Sequence, residues 1–260
     1  MAVFEAVEEN LRATLAVFAR ANRSGEARTF PGVAVCSSGV QFSMFNSAVL
    51  TSPVSSATEL ECRVRAAAAY FSARGLAWSF WVCQDWIDQA MRNLVEIVFD
   101  RQRLHLVVEL PGMMAERLAP PAHPLPKLEV RRVSDVETRA DFSHIMCVAF
   151  GIPTQVSRAI YESESTWEPG FTGYVAYSEG LPVSTAATVV TGDVAGIYAV
   201  GTLPGYQHRG CAETVMRHAL EAVRATAGIE YSVLQSSEAG LSMYRKLGYH
   251  PVTRYAVFAT

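Results

Sequence analysis

The chain has 260 residues, 50% of them apolar and 18% charged, with a formal net charge of −3. These values are ordinary for a folded globular protein and leave room for one or two domains. Nucleic-acid binding normally requires a basic patch, so the slightly acidic balance predicts no nucleic-acid partner. No apolar run approaches the roughly 20 residues that span a bilayer, so we expect no membrane association. The acidic N-terminus, MAVFEAVEEN, resembles neither a signal peptide nor a transit peptide and favours a cytoplasmic protein.

The cysteines are scattered along the chain, at Cys36, Cys62, Cys83, Cys147 and Cys211. They form no C-x-x-C pair and have no histidine cluster beside them. This pattern favours neither a disulfide framework nor a metal site. We therefore expect buried free thiols and no bound metal.

A proline-rich segment divides the sequence. Residues 119–127 read APPAHPLPK, and prolines lack a backbone donor and have a fixed φ, so neither a helix nor an inner strand continues through them. The sequence therefore predicts two domains, residues 1–118 and 128–260, joined by a linker at 119–127.

The first half is predicted to be a mixed α+β region. Its amphipathic N-terminal stripe predicts a helix, and Gly75 is a suitable residue to end another. In chain order we expect a helix at 3–21, strands at 33–37 and 41–50, helices at 57–74 and 85–100 with a strand at 76–83 between them, and a strand at 103–110. Pro111-Gly112 is expected to close this segment.

The second half alternates strands and helices more regularly. Ser134 and Glu137 have the spacing of a capping box at the start of a helix. The expected elements are strands at 128–133, 171–177, 183–190, 194–201, 230–235 and 252–259, with helices at 135–149, 153–163, 210–226 and 237–247. This order predicts an α/β (α+β) sandwich around a mainly antiparallel sheet.

One loop has the form of an anion site. The strand at 194–201 leads to Pro204, and a helix starts near Gly210. The first amides of a helix have no intrahelical partners and lie at the positive end of its dipole, so they can bind a pyrophosphate. Arg209 adds a positive charge. A plain strand–loop–helix turn with a packing glycine is the alternative interpretation, because a single glycine-bearing loop is a weak signal.

Two motifs in the second half resemble the GNAT N-acetyltransferase superfamily. Gln207-His-Arg-Gly210-Cys-Ala212 is similar to its Q/R-x-x-G-x-G/A signature. Further on, Ser237-Glu-Ala-Gly-Leu-Ser-Met-Tyr244-Arg-Lys-Leu-Gly-Tyr249 is similar to the closing element of the family. The resemblance implies acetyl-CoA as cosubstrate and acetyl transfer to a primary amine of a small acceptor, in a monomer or homodimer.

The resemblance also implies residue roles. The strand Val200-Gly201-Thr202 would pair with the pantetheine arm and polarise the thioester carbonyl. The amides of His208, Arg209, Gly210, Cys211 and Ala212 would hold the pyrophosphate, with Gln207 opening the loop. Ser237 would contact the pantetheine arm, and Tyr244 would protonate the departing thiolate.

Two departures from the family pattern bear on activity. Gln207 stands where many relatives have arginine, and Ala199 stands where a polar residue is common, so Ala199 supplies neither acid nor base. No general base is evident, and structural roles are favoured for the polar residues near the expected acceptor site: Glu168, Tyr174, Tyr177, Asp193 and Tyr198. An acetyl-cysteine route through Cys211 is disfavoured against use of its backbone. A CoA-binding sensor with little catalysis is the rival interpretation.

The first half has the approximate element order of a GNAT domain without a pyrophosphate loop. We therefore expect residues 1–118 to form a degenerate acetyltransferase-like domain that shapes the acceptor pocket.

Overall fold

The structure is a computed structural model that describes residues 2–167 and 170–260. Glu168, considered above as a neighbour of the acceptor site, lies outside this range. The helices are α1 (Val3–Arg20), α2 (Ala57–Ser72), α3 (Val95–Asp100), α4 (Val136–Phe150), α5 (Thr154–Tyr161), α6 (Cys211–Ala227) and α7 (Glu238–Lys246). The strands are β1 (Glu26–Phe30), β2 (Val33–Ser37), β3 (Asn46–Leu50), β4 (Ser79–Cys83), β5 (His105–Ala115), β6 (Glu129–Arg132), β7 (Thr172–Ser178), β8 (Leu181–Thr191), β9 (Val194–Thr202), β10 (Tyr231–Gln235) and β11 (His250–Ala259).

All of these strands form one 11-stranded sheet with the order β1-β2-β3-β4-β11-β5-β10-β9-β8-β7-β6. Two neighbouring pairs, β3 with β4 and β9 with β10, are parallel, and the others are antiparallel. The predicted mixed, mainly antiparallel sheet flanked by helices is confirmed.

Helices cover both faces of this sheet. On β2, Ala34 and Cys36 pack against α1, whereas Val33 and Val35 pack against α2 and α3, because successive strand residues point to opposite faces. The second half continues this arrangement, with α1, α4 and α5 sharing a core on one face and α6 and α7 on the other. The first helix of the chain therefore lies over strands of both halves.

The two halves exchange their last strands. β5, which precedes the linker, lies between β10 and β11 of the second half, and β11 lies between β4 and β5 of the first. The β5–β11 pairing runs from His250 opposite Met114 to Ala259 opposite His105. The division at 119–127 stays a prediction, but the strands on either side of it belong to one continuous sheet.

Several predicted elements are wrong in extent. β5 continues through Pro111-Gly112 because the glycine leaves room for its neighbours; a Cβ there would lie 2.5 Å from Cγ2 of Thr253. The helix predicted at 85–100 is two 3-10 turns, Gln84–Trp86 and Gln89–Leu94, followed by the short α3. β1 was not predicted, because the sequence EARTF lacks the apolar residues of a buried strand.

Two local expectations also need correction. α4 is capped by Asp135, whose carboxylate accepts the backbone N–H of Thr138 at 2.8 Å, and not by the expected Ser134–Glu137 pair. Among the five free cysteines, Cys62 is exposed and Cys147 is half-buried, so only three thiols are buried as expected. Within the described residues no helix has both the length and the apolar character needed to cross a lipid bilayer.

Candidate active site

β9 and β10 stop pairing before either strand ends, and the opening between them is called the cleft below. The two strands pair in parallel from Val194 opposite Tyr231 to Gly196 opposite Val233, and the pairing ends there. β9 bulges just beyond this point: its register with β8 shifts, and Ala199 has a φ of +51°. The hydroxyl of Thr185 on β8 donates to the carbonyl of Ala199 at 2.9 Å and stabilises the bulge. A bulge bends a strand away from its partner, which explains the opening.

The three strand residues predicted to contact the cofactor do not all face this cleft. The N–H of Gly201 donates to Oγ1 of Thr185 at 3.3 Å, and its carbonyl accepts the hydroxyl of Ser184 at 2.8 Å, so its backbone is turned toward β8. Backbone groups alternate in direction along a strand, so those of Val200 and Thr202 face the cleft. Gln207 closes the end of the strand by donating from Nε2 to the carbonyl of Thr202 at 3.3 Å.

The loop before α6 leaves backbone donors free. Gly210 is the N-cap residue with a φ of +81°, no side chain caps the helix, and His208 also has a positive φ of +59°. Among the described residues, no backbone or side-chain group of a different residue accepts a hydrogen bond from the backbone N–H groups of residues 208–212. Together with the helix dipole, these donors create a positive cradle.

Gly210 has a second neighbour that was not expected. A Cβ built on it would lie 3.0 Å from Cδ of Pro126, so the proline-rich segment packs directly against the start of α6. The glycine is thus required by its left-handed conformation and by the approach of the linker.

The side chains around the cradle differ in exposure. Gln207, His208 and Arg209 are exposed, with the Arg209 guanidinium 5.7 Å from the ring centre of Tyr206. Cys211 is buried, and burial raises the pKa of its thiol despite the nearby Arg209. A raised thiol pKa does not favour a nucleophilic thiolate, in agreement with the preference for a backbone role.

Tyr244 lies in α7, which begins directly after β10. Its side chain is only 9% exposed and its ring packs edge-on against Tyr249, with the centroids 5.8 Å apart. The hydroxyl has no hydrogen-bond partner among the described residues, yet it is not among the fully buried polar atoms that lack one. It therefore retains some solvent access. Burial raises the pKa of Tyr244 to about 12, so the phenol stays protonated at neutral pH.

Ser237 is the N-cap of α7. Its hydroxyl accepts the backbone N–H of Gly240 at 3.3 Å, so the side chain has a structural role whatever else it contacts.

Sequence reasoning missed the polar residues that α1 brings to the other face of the divergence. Asn10 donates from Nδ2 to the carbonyl of Val189 at 2.9 Å and accepts the hydroxyl of Tyr198 at 2.7 Å. It lies over Gly196, where a Cβ would come within 1.8 Å of Oδ1. Glu8, also on α1, is 2% exposed. The sequence did contain a signal for these two residues, because both are polar and lie between apolar positions on the face of α1 that becomes buried.

The other polar residues considered earlier lie away from the cleft. Tyr177 donates to Asp141 at 2.7 Å, Tyr174 packs against the ring of His218 with the centroids 5.2 Å apart, and Asp193 is exposed in a turn. A groove of about 580 Å³ lies at the opposite end of α6, where Arg117 pairs with Glu230 at 2.7 Å. Of the described polar residues considered for the acceptor site, Tyr198 alone reaches the divergence of β9 and β10.

The first half contains the same strand–helix–strand arrangement with its opening closed. β3 and β4 are parallel and connected through α2, but beyond them Val54 pairs with Ile87. The N–H of Val54 donates to the carbonyl of Trp86 at 2.7 Å. The hydroxyl of Ser56 caps α2 by accepting the N–H of Glu59 at 3.2 Å. Because β3 and β4 do not separate and α2 is capped by a side chain, the start of α2 has no cradle equivalent to that of α6.

β9 and β10 form an opened parallel strand pair joined by the uncapped α6, which agrees with the acetyltransferase family that the two motifs resemble. Residues 129–252 match the family model described as "Acetyltransferase (GNAT) domain". Residues 129–252 therefore match a GNAT acetyltransferase domain, in agreement with the two motifs. No match was found among curated proteins.

Solved structures agree with this fold over nearly the whole chain. A GCN5-related N-acetyltransferase from Kribbella flavida aligns with a TM-score of 0.73 at 17% identity, covering 100% of this chain and 96% of that one. A tandem GNAT protein from the clavulanic acid biosynthesis pathway aligns with a TM-score of 0.56 at 11% identity, covering 97% of this chain and 95% of that one. A GCN5-related N-acetyltransferase from Sphaerobacter thermophilus aligns with a TM-score of 0.59 at 15% identity, covering 88% and 76%. The similarity extends to both halves, as expected for a second, degenerate GNAT-like domain.

Proposed function

We propose that the protein transfers an acetyl group from acetyl-CoA to a primary amine of a small acceptor, by direct attack in a ternary complex. The observation that carries the proposal is the set of free backbone N–H groups at residues 208–212, beside the opening between β9 and β10. A diphosphate fits such donors, because they supply several hydrogen bonds and a favourable dipole without a metal ion.

The cleft geometry supports the remaining roles. The pantetheine arm would lie along β9, where the backbone of Val200 and Thr202 is turned to the opening. Backbone donors directed at the thioester oxygen stabilise the negative charge that develops there during attack. A phenol that stays protonated at neutral pH, as Tyr244 does, can donate to the departing thiolate. The amine needs mainly alignment, since positioning alone supplies much of the rate.

The acceptor would enter from the face covered by α1, because the groups assigned to the cofactor, the cradle before α6 and Tyr244 on α7, belong to the helices of the opposite face. The first half would then form a wall of the acceptor site, which restricts it to small amines. This assigns residues 1–118 a role in specificity although they have no cradle of their own.

Replacing Ala212 by aspartate tests the cradle. The residue lies in the first turn of α6, where a carboxylate stabilises the helix, so folding should be unaffected. A carboxylate about 5 Å from a phosphate costs about 3 kcal/mol at an effective dielectric constant of ~20, roughly a hundredfold in Kd. Calorimetric titration with acetyl-CoA should therefore show binding weakened about a hundredfold in A212D.

Thr58→Asp is the matched control, since Thr58 has the same position in the first turn of α2. T58D should bind acetyl-CoA like the unmodified protein. Equal affinities in A212D and T58D would place the cofactor elsewhere. Normal binding in the unmodified protein, with no thiol release across a panel of amines, would favour the rival function, a CoA-binding sensor.

Removal of the phenol hydroxyl of Tyr244 tests whether this residue is the general acid. Tyr244→Phe should lower kcat about a hundredfold or more, because general-acid catalysis typically contributes at least that much, while KM for acetyl-CoA changes little. Thiol release measured by a chromogenic disulfide gives both constants. Tyr231→Phe, at the exposed start of β10, should leave them unchanged. An unaltered kcat in Y244F would remove Tyr244 from the mechanism.

A further inference from the structure

A buried carboxyl belongs to α1, the helix that lies over the start of the opening between β9 and β10. Glu8 is 2% exposed, and its Oε1 has no hydrogen-bond partner among the described residues. Its Oε2 is 3.5 Å from the hydroxyl of Tyr255, at the limit of a hydrogen bond. The groups that interact electrostatically with it are Tyr255 on β11, Tyr198 on β9, Cys83 on β4 and Arg12 on its own helix.

Two half-buried polar side chains lie at the cleft on the face of the sheet that α1 covers. Tyr198 and Gln235 each lie two residues past the last paired position of β9 and β10, Gly196 and Val233. Residues two apart in a strand share a face, and Val233 packs with α1, so Gln235 also points toward α1. Nε2 of Gln235 is buried without a partner. The hydroxyl of Tyr198 donates to Asn10 on α1 and interacts electrostatically with Glu8, so polar groups line the face of the opening from which α1 presents Glu8.

This arrangement costs stability. Buried polar atoms are nearly always paired, and a carboxyl without partners is expensive to bury. Burial raises the pKa of Glu8 to about 8, and Arg12 and Tyr255 only partly offset this. A group that destabilises a fold and lies next to a cleft is a candidate for function.

No other base was found at the cleft within residues 2–167 and 170–260. Ala199 has no ionisable group, and Tyr244 is protonated and lies on the other face of the sheet. Asp193, Tyr174 and Tyr177 are distant or engaged, as described above. Among the described residues at the divergence, Glu8 is the group that can take a proton near neutral pH.

We propose that Glu8, supplied by the N-terminal helix, is the general base of the reaction and accepts the proton of the acceptor's ammonium group, directly or through one water. This inference rests on the proposed function. It also gives the first half a chemical role, because α1 would complete an active site whose cofactor groups all lie in the second half.

The ammonium loses a proton to the Glu8 carboxylate, and the neutral amine forms a C–N bond with the thioester carbon. The C–S bond then breaks, and the thiolate takes the proton of Tyr244. The nitrogen carries two protons after the attack; one stays on the amide, and the other returns to the Tyr244 phenolate through solvent. Glu8 releases its own proton to solvent. The products are the acetamide, CoA thiol and one proton.

Glu8→Gln and Glu9→Gln form a matched pair. The second variant makes the same chemical change one residue further along α1, at an exposed position. With the best substrate of an aliphatic amine panel, E8Q should lower kcat about a hundredfold or more. The Kd of acetyl-CoA should be unchanged and Tm should not fall. E9Q should match the unmodified protein in all three measurements.

Two readouts separate a base from a structural residue. In the unmodified protein kcat should rise with pH and level off near the pKa of the base, and E8Q should lose this dependence. Hydroxylamine is already neutral at pH 7, so E8Q should lose less than about tenfold with it. An undiminished kcat in E8Q, or an equal loss with hydroxylamine and with the aliphatic amine, overturns the proposal for Glu8. No turnover of any amine by the unmodified protein overturns the proposed function and the role of Glu8 with it.

Discussion

A fragment of residues 119–260, which contains the whole family match, is expected to remain unfolded when produced alone. β5 ends before this fragment begins, yet it lies between β10 and β11 and pairs with both. Its Met113 and Ala115 are buried in the core that holds α6, α7 and Tyr244. Loss of one buried methionine costs about 2–5 kcal/mol, and the lost pairing adds to it, against a total stability of about 5–15 kcal/mol. Circular dichroism and amide NMR spectra recorded while the fragment is heated should show no cooperative unfolding transition.

The covalent link should matter far less than the strand. With a protease site engineered into residues 119–127, cleavage of the folded chain should yield two pieces that stay associated and still bind acetyl-CoA. Purified residues 1–118 added to the unfolded fragment should restore binding. A fragment that folds cooperatively and binds acetyl-CoA without the first half would show that β5 is dispensable and that the predicted domain boundary is also a folding boundary.

The sequence revealed the cofactor side of the candidate site because its signals are local. Pro204, Gly210 and the start of α6 are adjacent in the chain, and the turn and capping preferences of such residues act over a few positions. The second motif, from Ser237 to Tyr249, is local as well. Elements with strong periodicity, such as α1 and β9, were predicted to within a few residues for the same reason.

The strand exchange and the acceptor side depend on contacts between distant residues. Nothing within 103–118 indicates that β5 enters the sheet of the other half, and Pro111-Gly112 signals the end of a strand when read locally. Glu8 looks like an ordinary surface carboxylate of an amphipathic helix, because its burial arises only when α1 lies across β9 and β11. Its unpaired state is a property of the assembled core and not of the sequence around it.

Stability should also depend on Glu8 in a direction opposite to the usual behaviour of carboxylates. The pKa of Glu8 is raised from 4.5 to about 8 in the folded chain. Below pH 4.5 the group is protonated in both the folded and the unfolded state, so it causes no penalty. Between pH 4.5 and 8 the unfolded chain releases the proton and the folded chain keeps it, so this contribution to stability falls as pH rises. Above pH 8 both states are ionised and the full penalty persists.

Glu8→Gln should remove this penalty, because an amide stays neutral at every pH and can still accept the Tyr255 hydroxyl. Each factor of ten in proton affinity is worth about 1.4 kcal/mol, so E8Q should be more stable than the unmodified protein by a few kcal/mol at pH 8 and by nearly nothing at pH 4.5. Urea unfolding of both proteins across this range measures the difference directly, and E9Q should show no such trend. If E8Q and the unmodified protein are equally stable at pH 4.5 and also at pH 8, Glu8 is ionised and solvated in the folded chain. A variant that gains stability while losing turnover is the combination expected of a group retained for chemistry, since packing alone would favour the neutral side chain.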